Sequence, residues 1–194
     1  MSNLRVLLLL ITIALYPMPA LCEPAPRLVA AARSQIGTTL YYDSSYRILS
    51  YPNGDVPPDR GVCTDVVIRA LRKSFGIDLQ QRVHEDMARH FSLYPSSWGL
   101  RQPDKNIDHR RVPNLQTYFQ RQGWSLPVTS QPADYKPGDI VTSLLPPNLP
   151  HIMIVSDKKT LFGRPLVIHN IGSGTQEEDV LFEYKLTGHY RITR

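Results

Sequence analysis

Hydrophobic and polar positions repeat with a helical period in the earlier part of the chain and with a strand period in the last part. Apolar residues recur every three or four positions in four segments, which predicts helices over residues 26–35, 63–75, 79–91 and 115–121. After residue 138 the apolar positions alternate, which predicts strands over residues 139–144, 151–156, 166–171 and 189–193. Helices followed by an antiparallel meander indicate an α+β domain.

The first 22 residues have the pattern of a cleaved signal peptide. A positive residue near the start is followed by an almost unbroken apolar run over residues 6–15, and two prolines follow this run. This run is about half of the ~20 residues that span a bilayer, so export with cleavage after Cys22, or after Ala25, is favoured. We expect an exported, periplasmic protein whose mature chain, residues 23–194, is one domain without a transmembrane segment.

The charge of the chain adds little to the prediction of its function. The formal net charge is +5, and the basic residues are dispersed along the chain. No basic block is dense enough to indicate nucleic acid, whereas a mildly basic surface suits either an anionic envelope polymer or simple solubility. The sequence gives no indication of the oligomeric state.

The candidate chemistry starts from one cysteine. The chain has two, and removal of the leader leaves Cys63, at the start of a predicted helix. A helix N-terminus favours the thiolate, which is the nucleophilic form. His151 begins one predicted strand and His169 lies on the next, so the order fits a nucleophile, a base and an orienting group. Asn170 is the alternative third member, and a buried packing cysteine is the non-catalytic interpretation.

These positions resemble the NlpC-type cell-wall peptidases of the papain-like superfamily. Gly138-Asp139 resembles the start of that family's first strand, and the strands that carry His151 and His169 resemble the next two. The family's usual Asp-Cys-Ser-Gly motif is Val62-Cys-Thr-Asp65 in this chain.

A second resemblance covers nearly the whole mature chain. The chain is identified as a member of a bacterial family of exported proteins of unknown function, the YijF type. The motifs that carry this identification are Asp59-Arg-Gly-Val-Cys-Thr-Asp-Val66, His84-Glu-Asp-Met87, Asn106-Ile-Asp-His-Arg-Arg-Val-Pro-Asn-Leu115, His169-Asn-Ile-Gly172 and Gly188-His-Tyr-Arg191.

Together the resemblances imply an NlpC-like fold and a thiol amidase or peptidase. Its substrate would be peptidoglycan or another envelope peptide or amide, with no cofactor and no metal. Tyr42, or its neighbour Tyr41, is the candidate for stabilising the oxyanion. Asp65 and His109, which lie within the shared motifs, are further candidates for substrate binding.

Two other functions fit the same residues. In one, an acyl or peptidyl group is transferred to an acceptor other than water, since acceptor choice depends on the shape of the pocket. In the other, the protein is a non-catalytic envelope-binding module whose cysteine is only packed.

Overall fold

Helices precede the sheet along the described chain. The structure is a computed structural model that describes residues 24–193, so the predicted signal peptide lies outside the described residues. The helices are α1 (Pro24–Arg33), α2 (Cys63–Phe75), α3 (Leu79–His90) and α4 (Val112–Arg121). The predicted bounds of α2 are confirmed at both ends. The predicted start of α4 is wrong by three residues, because Arg111 is the N-cap and a proline occupies the first turn.

The pattern of α2 explains both its burial and its end. Apolar residues at positions 66, 67, 70 and 71 form one buried face. The helix ends at Gly76, whose φ of 65° is left-handed and whose N–H donates to the carbonyls of Leu71 and Arg72. Glycine adopts this conformation without the steric cost that a Cβ would add.

The strands form one antiparallel sheet and one short parallel pair. The pair is β1 (Tyr41–Tyr42) with β2 (Arg60–Gly61). The sheet contains β3 (Ser125–Leu126), β4 (Ile140–Leu145), β5 (Leu149–Lys159), β6 (Pro165–Asn170), β7 (Thr175–Glu178) and β8 (Lys185–Tyr190). Its order is β3-β8-β4-β5-β6-β7, which confirms the α+β class.

One predicted strand is shifted, and one strand lies where the acidic composition predicts a turn. The last strand lies at residues 185–190, not 189–193. Residues 177–179 look like an acidic turn in the sequence, yet Glu177 and Glu178 belong to the edge strand β7. Within residues 24–193, no helix has the length and apolar character needed to cross a membrane.

Successive residues of the central strands point to opposite faces of the sheet. Ile152, Ile154 and Ile168 face the helices and join the larger core. Met153 and Val155 point the other way and belong to a smaller cluster on the opposite face. Because side chains alternate along a strand, His151 and His169 lie on the face of Met153 and Val155, and Asn170 lies on the face of Ile168.

Candidate active site

Cys63 is the first residue of α2 and lines a cleft of about 200 Å³. Its side chain is 4% exposed. Tyr42, Trp98, Arg111 and Pro150 line the same cleft, so helix, loop and sheet residues all contribute to its walls. Burial beside an open cleft lets a ligand reach the sulfur while bulk water is largely kept away.

A buried ion pair holds the start of α2 in place. Asp65 accepts from the Val62 N–H at 2.6 Å, and Arg110 Nε and Nη2 donate to its two oxygens at 3.0 and 2.9 Å. A Cβ on Gly61 would lie 2.9 Å from Asp65 Oδ2, so glycine leaves room for the carboxylate. The structure therefore places Asp65 beneath the cleft as a support, and it is not among the residues that line the cleft.

The Cys63 sulfur lies next to the backbone of β5 at Ile152, the residue after His151. Its thiolate form would accept a hydrogen bond from the backbone N–H of Ile152, and Pro150 lines the Cys63 cleft. The helix start therefore abuts the strand beside the predicted base. The side chains of His151 and His169 follow the alternation of Met153, Val155 and Val167, on the face of the sheet opposite the α2 core, and neither residue is among those that line the cleft. Within residues 24–193, neither histidine ring of β5 or β6 has a hydrogen bond to the thiol.

The two predicted histidines are in direct contact. Nε2 of His151 lies 2.8 Å from Nδ1 of His169, and both side chains are buried. Nε2 of His169 lies 2.9 Å from Oε2 of Glu178 on β7. The result is a chain of three polar side chains that runs from the Cys63 end of β5 to the edge of the sheet.

Asn170 lies on the other face from His169. Its Nδ2 donates to the carbonyl of Gly61 at 3.0 Å, and its Oδ1 accepts from the Gly172 N–H. The side chain thus ties β6 to the segment before the cysteine. Between the two candidates for the third position, His169 is the one that contacts His151.

Burial makes the resting thiol and imidazole neutral. Burial raises the pKa of Cys63 to about 12, and backbone N–H groups of Ile152, Thr64 and Cys63 offset only part of that effect. Burial, with the nearby His169, lowers the pKa of His151 to about 3. The amides at the helix start favour the thiolate, as the sequence predicts, but in the free protein desolvation outweighs their contribution.

The two tyrosine candidates have separate environments. Tyr42 pairs with Gly61 in the short parallel sheet and lines the cleft. Burial, with the nearby charge of Asp65, raises the pKa of its hydroxyl to about 12, so it stays a hydrogen-bond donor. Tyr41 instead lies under the guanidinium of Arg60, 5.9 Å from its carbon to the ring centroid.

His109 is not brought to the cleft. It is 2% exposed, its Nδ1 has no hydrogen-bond partner, and burial lowers the pKa of the ring to about 3. It lies in a short 3-10 turn between Asp108 and Arg110. In the motif that contains His109, the two residues that follow it, Arg110 and Arg111, line the cleft instead.

Two contributors were not found from the sequence. Glu178 was not predicted because a run of acidic residues has the composition of a turn. Gln176 and Glu178 are two positions apart, so on a strand they share a face, and Gln176 pairs with His169. Trp98 lies in an irregular segment, where it stacks under Arg111 at 4.3 Å. In the described part of the chain, no three His, Cys, Asp or Glu side chains are grouped so as to hold a metal ion.

Comparisons with known proteins give a family and a distant structural neighbour. The family model described as "Domain of unknown function (DUF1287)" matches residues 29–192. The chain is 59% identical over 160 residues to the uncharacterized protein YijF of Escherichia coli (strain K12), covering 82% of this chain and 78% of that protein. The structure of NlpC1 from Trichomonas vaginalis aligns with 89% of this chain at 13% identity and a TM-score of 0.48. The chain spans 46% of that protein's length.

Proposed function

The chain belongs to the family described as a domain of unknown function (DUF1287), as its motifs predicted, and we propose that it is a thiol amidase or peptidase of the bacterial envelope. Because the family description gives no activity, this proposal is inferred from the Cys63 cleft. The observation that carries the proposal is the contact between His151 and His169 beside the strand position that meets Cys63. An isolated packing cysteine has no need of such a pair.

The proposed reaction begins from the neutral pair. The Cys63 sulfur attacks the carbonyl carbon of an amide while its proton passes to His151. The same proton then goes to the leaving amine as the C–N bond breaks, which leaves a thioester on Cys63. Water, deprotonated by His151, hydrolyses the thioester and restores the thiol.

Backbone N–H groups around the sulfur support the stabilisation of the negative charge. Those of Cys63, Thr64 and Ile152 all act to lower the pKa of the thiol, so they are directed at negative charge in its vicinity. The hydroxyl of Tyr42 on the cleft wall is a further donor for the oxyanion. Fixed donors cost little reorganisation when charge develops, and one oxyanion-hole donor is worth on the order of 10²–10³ in rate.

The favoured substrate is the peptide part of peptidoglycan. Three observations support this choice: the predicted leader, the resemblance to cell-wall peptidases, and the cationic wall that Arg111 presents. Both arginines line the cleft, but Arg110 is paired with Asp65. Arg111 donates to Asp108 at 3.1 Å and stacks on Trp98, and it is the arginine that we propose meets a substrate carboxylate. The proposal includes export and a mature chain of residues 23–194 that forms a single domain.

Analysis of muropeptides tests this function. Peptidoglycan of several wall types is incubated with the purified mature protein, and the released fragments are identified by mass spectrometry. We expect new peptide ends with the native chain and none with Cys63→Ala. A thermal melt of Cys63→Ala within a few degrees of the native value shows that the fold is kept. Intact material across all wall types would argue against this substrate.

A further inference from the structure

We propose that Glu178 fixes the tautomers of both buried histidines, and that it thereby leaves Nδ1 of His151 without a proton, which is the state a general base for the proposed reaction requires. The catalytic consequence rests on the proposed function, whereas the tautomers themselves do not. Glu178 is a positioning residue in this scheme, because it acts through two rings and does not touch the reacting atoms.

The argument starts from the carboxylate. An ionised carboxylate only accepts hydrogen bonds, so the 2.9 Å contact requires His169 to donate from Nε2. A neutral imidazole carries one N–H, and Nδ1 of His169 must then be an acceptor. The 2.8 Å contact requires His151 to donate from Nε2, since that is the nitrogen that faces the acceptor. The remaining nitrogen of His151, Nδ1, is left bare.

Neutrality of both rings is supported by their surroundings. His151 and His169 are 2% and 1% exposed, and burial is the largest cause of the lowered pKa of each ring. The contact with Glu178 opposes this effect for His169 but does not overcome it. Two positive rings 2.8 Å apart would also repel each other strongly.

The register of β7 assigns this position to Glu178 and not to its neighbour. Glu178 pairs with Val167, whose face also carries His169. Glu177 pairs with Ile168 on the helix side, where it accepts from Arg33 of α1. Because successive strand residues point to opposite faces, the two adjacent glutamates have different partners.

Charge alone does not explain the arrangement. Glu183 also lies close enough to favour the charged form of His169, but it contributes only through its field and not through a hydrogen bond to the ring. A long-range field favours a positive ring without choosing which nitrogen is protonated. The choice of nitrogen requires an acceptor in contact, which is Glu178.

The direct test is nitrogen NMR of the mature protein labelled with ¹⁵N-histidine, because protonated and bare ring nitrogens give separate resonances. The signals of His151 and His169 are assigned by comparison with the single variants His151→Gln and His169→Gln. We expect both native rings to carry the proton on Nε2. A native His151 that carries its proton on Nδ1 would overturn the proposal without any variant being needed.

Substitutions of Glu178 then separate acceptor from donor. Glu178→Gln keeps an acceptor oxygen, and we expect the native tautomers. Glu178→Lys offers only donors, and we expect both rings to move their proton to Nδ1. Glu183→Lys is the matched control, since it makes the same change of charge near His169 without touching the ring. Unchanged tautomers in a folded Glu178→Lys would also overturn the proposal.

Turnover provides the second readout. With a muropeptide that the native protein cleaves, we expect Glu178→Lys to lower kcat by about 10² or more with KM little changed, as loss of a general base does. Glu178→Gln and Glu183→Lys should stay within about tenfold of the native kcat, well short of that loss. A kcat of Glu178→Lys equal to that of Glu183→Lys would contradict the catalytic part. Absence of cleavage by the native protein would count against the proposed function, while the NMR result still decides the tautomers.

Discussion

His151 and His169 meet edge to face, with Nε2 of the first 2.8 Å from Nδ1 of the second and the ring planes at 73°. One strand places His151 next to Ile152, whose backbone lies beside the Cys63 sulfur, and the next strand supplies the ring that contacts His151. A hydrogen bond to a second ring restricts rotation of the first about its side-chain torsions. The orientation of the proposed base therefore depends on His169, a residue of the neighbouring strand.

Removal of His169 is expected to lower kcat much more than it changes KM. In His169→Ala, His151 loses the partner of Nε2 and can rotate or change tautomer. We expect kcat to fall by roughly 10²–10⁴, the range for loss of a correctly placed base, with a small change in KM. Steady-state kinetics on a cleaved muropeptide measure both. The exposed His90→Gln is the control, and an equal loss there would point to an indirect effect.

The ionisation of Cys63 is expected to be unusually difficult. With a thiol pKa of about 12, against an ordinary value of 9.0, the rate of alkylation by iodoacetamide should rise about tenfold per pH unit from pH 7 to 10. The same chain unfolded in urea should level off near pH 9. Residues 23–194 are used so that Cys63 is the sole thiol. Rapid alkylation of the folded protein at pH 6 would contradict this prediction.

The pair of Asp65 and Arg110 is expected to be costly to break. Arg110→Met leaves a buried carboxylate whose partner is gone, and we expect the free energy of unfolding to fall by about 3–5 kcal/mol. In the double variant Asp65→Leu with Arg110→Met, part of this loss should be recovered, because no charge is left unpaired. Urea unfolding of the two single variants and the double variant measures the coupling. Additive losses would show that the pair is not the source of the effect.

Acid is expected to destabilise the fold through His109. Its folded pKa of about 3 lies below the ordinary histidine value of 6.5, so the unfolded chain binds more protons between these two values. The free energy of unfolding should therefore fall as the pH drops from 6.5 towards 3, by up to about 1.4 kcal/mol per pH unit for this group, and should be unaffected by it above pH 7.

Paired variants isolate this contribution. His109→Gln should have a shallower loss of stability with falling pH than the native protein, measured by urea unfolding at several pH values. His90→Gln, on the exposed end of α3, should keep the native slope. Equal slopes in all three proteins would exclude His109 as a source of the acid sensitivity.

Local patterns predicted the elements that carry the site. The apolar spacing of α2 placed Cys63 at its first residue, and alternation put His151 and His169 on one face. Alternation also separates Asn170 from His169, although the choice between them needed the strand register. These successes share a cause, because each depends on residues that are neighbours in the sequence.

Contacts between distant segments could not be read in the same way. The pairing of Asp65 with Arg110 joins residues 45 positions apart. The neutral state of Cys63 depends on how much of the fold covers it, which no local pattern encodes. Glu178 was missed because edge strands have acidic, turn-like composition when one side faces solvent. The part of the site that escaped prediction is the part that tertiary packing creates.

The enclosure of Cys63 also bears on how long the protein keeps a usable sulfur. The ionised form is the nucleophile that attacks peroxides and disulfide reagents, and oxidation to sulfenic or sulfinic acid follows thiolate character and exposure. A covered, protonated sulfur has neither thiolate character nor exposure. The packing that slows ionisation in the free protein should thus preserve the group against oxidative damage until a ligand fills the cleft.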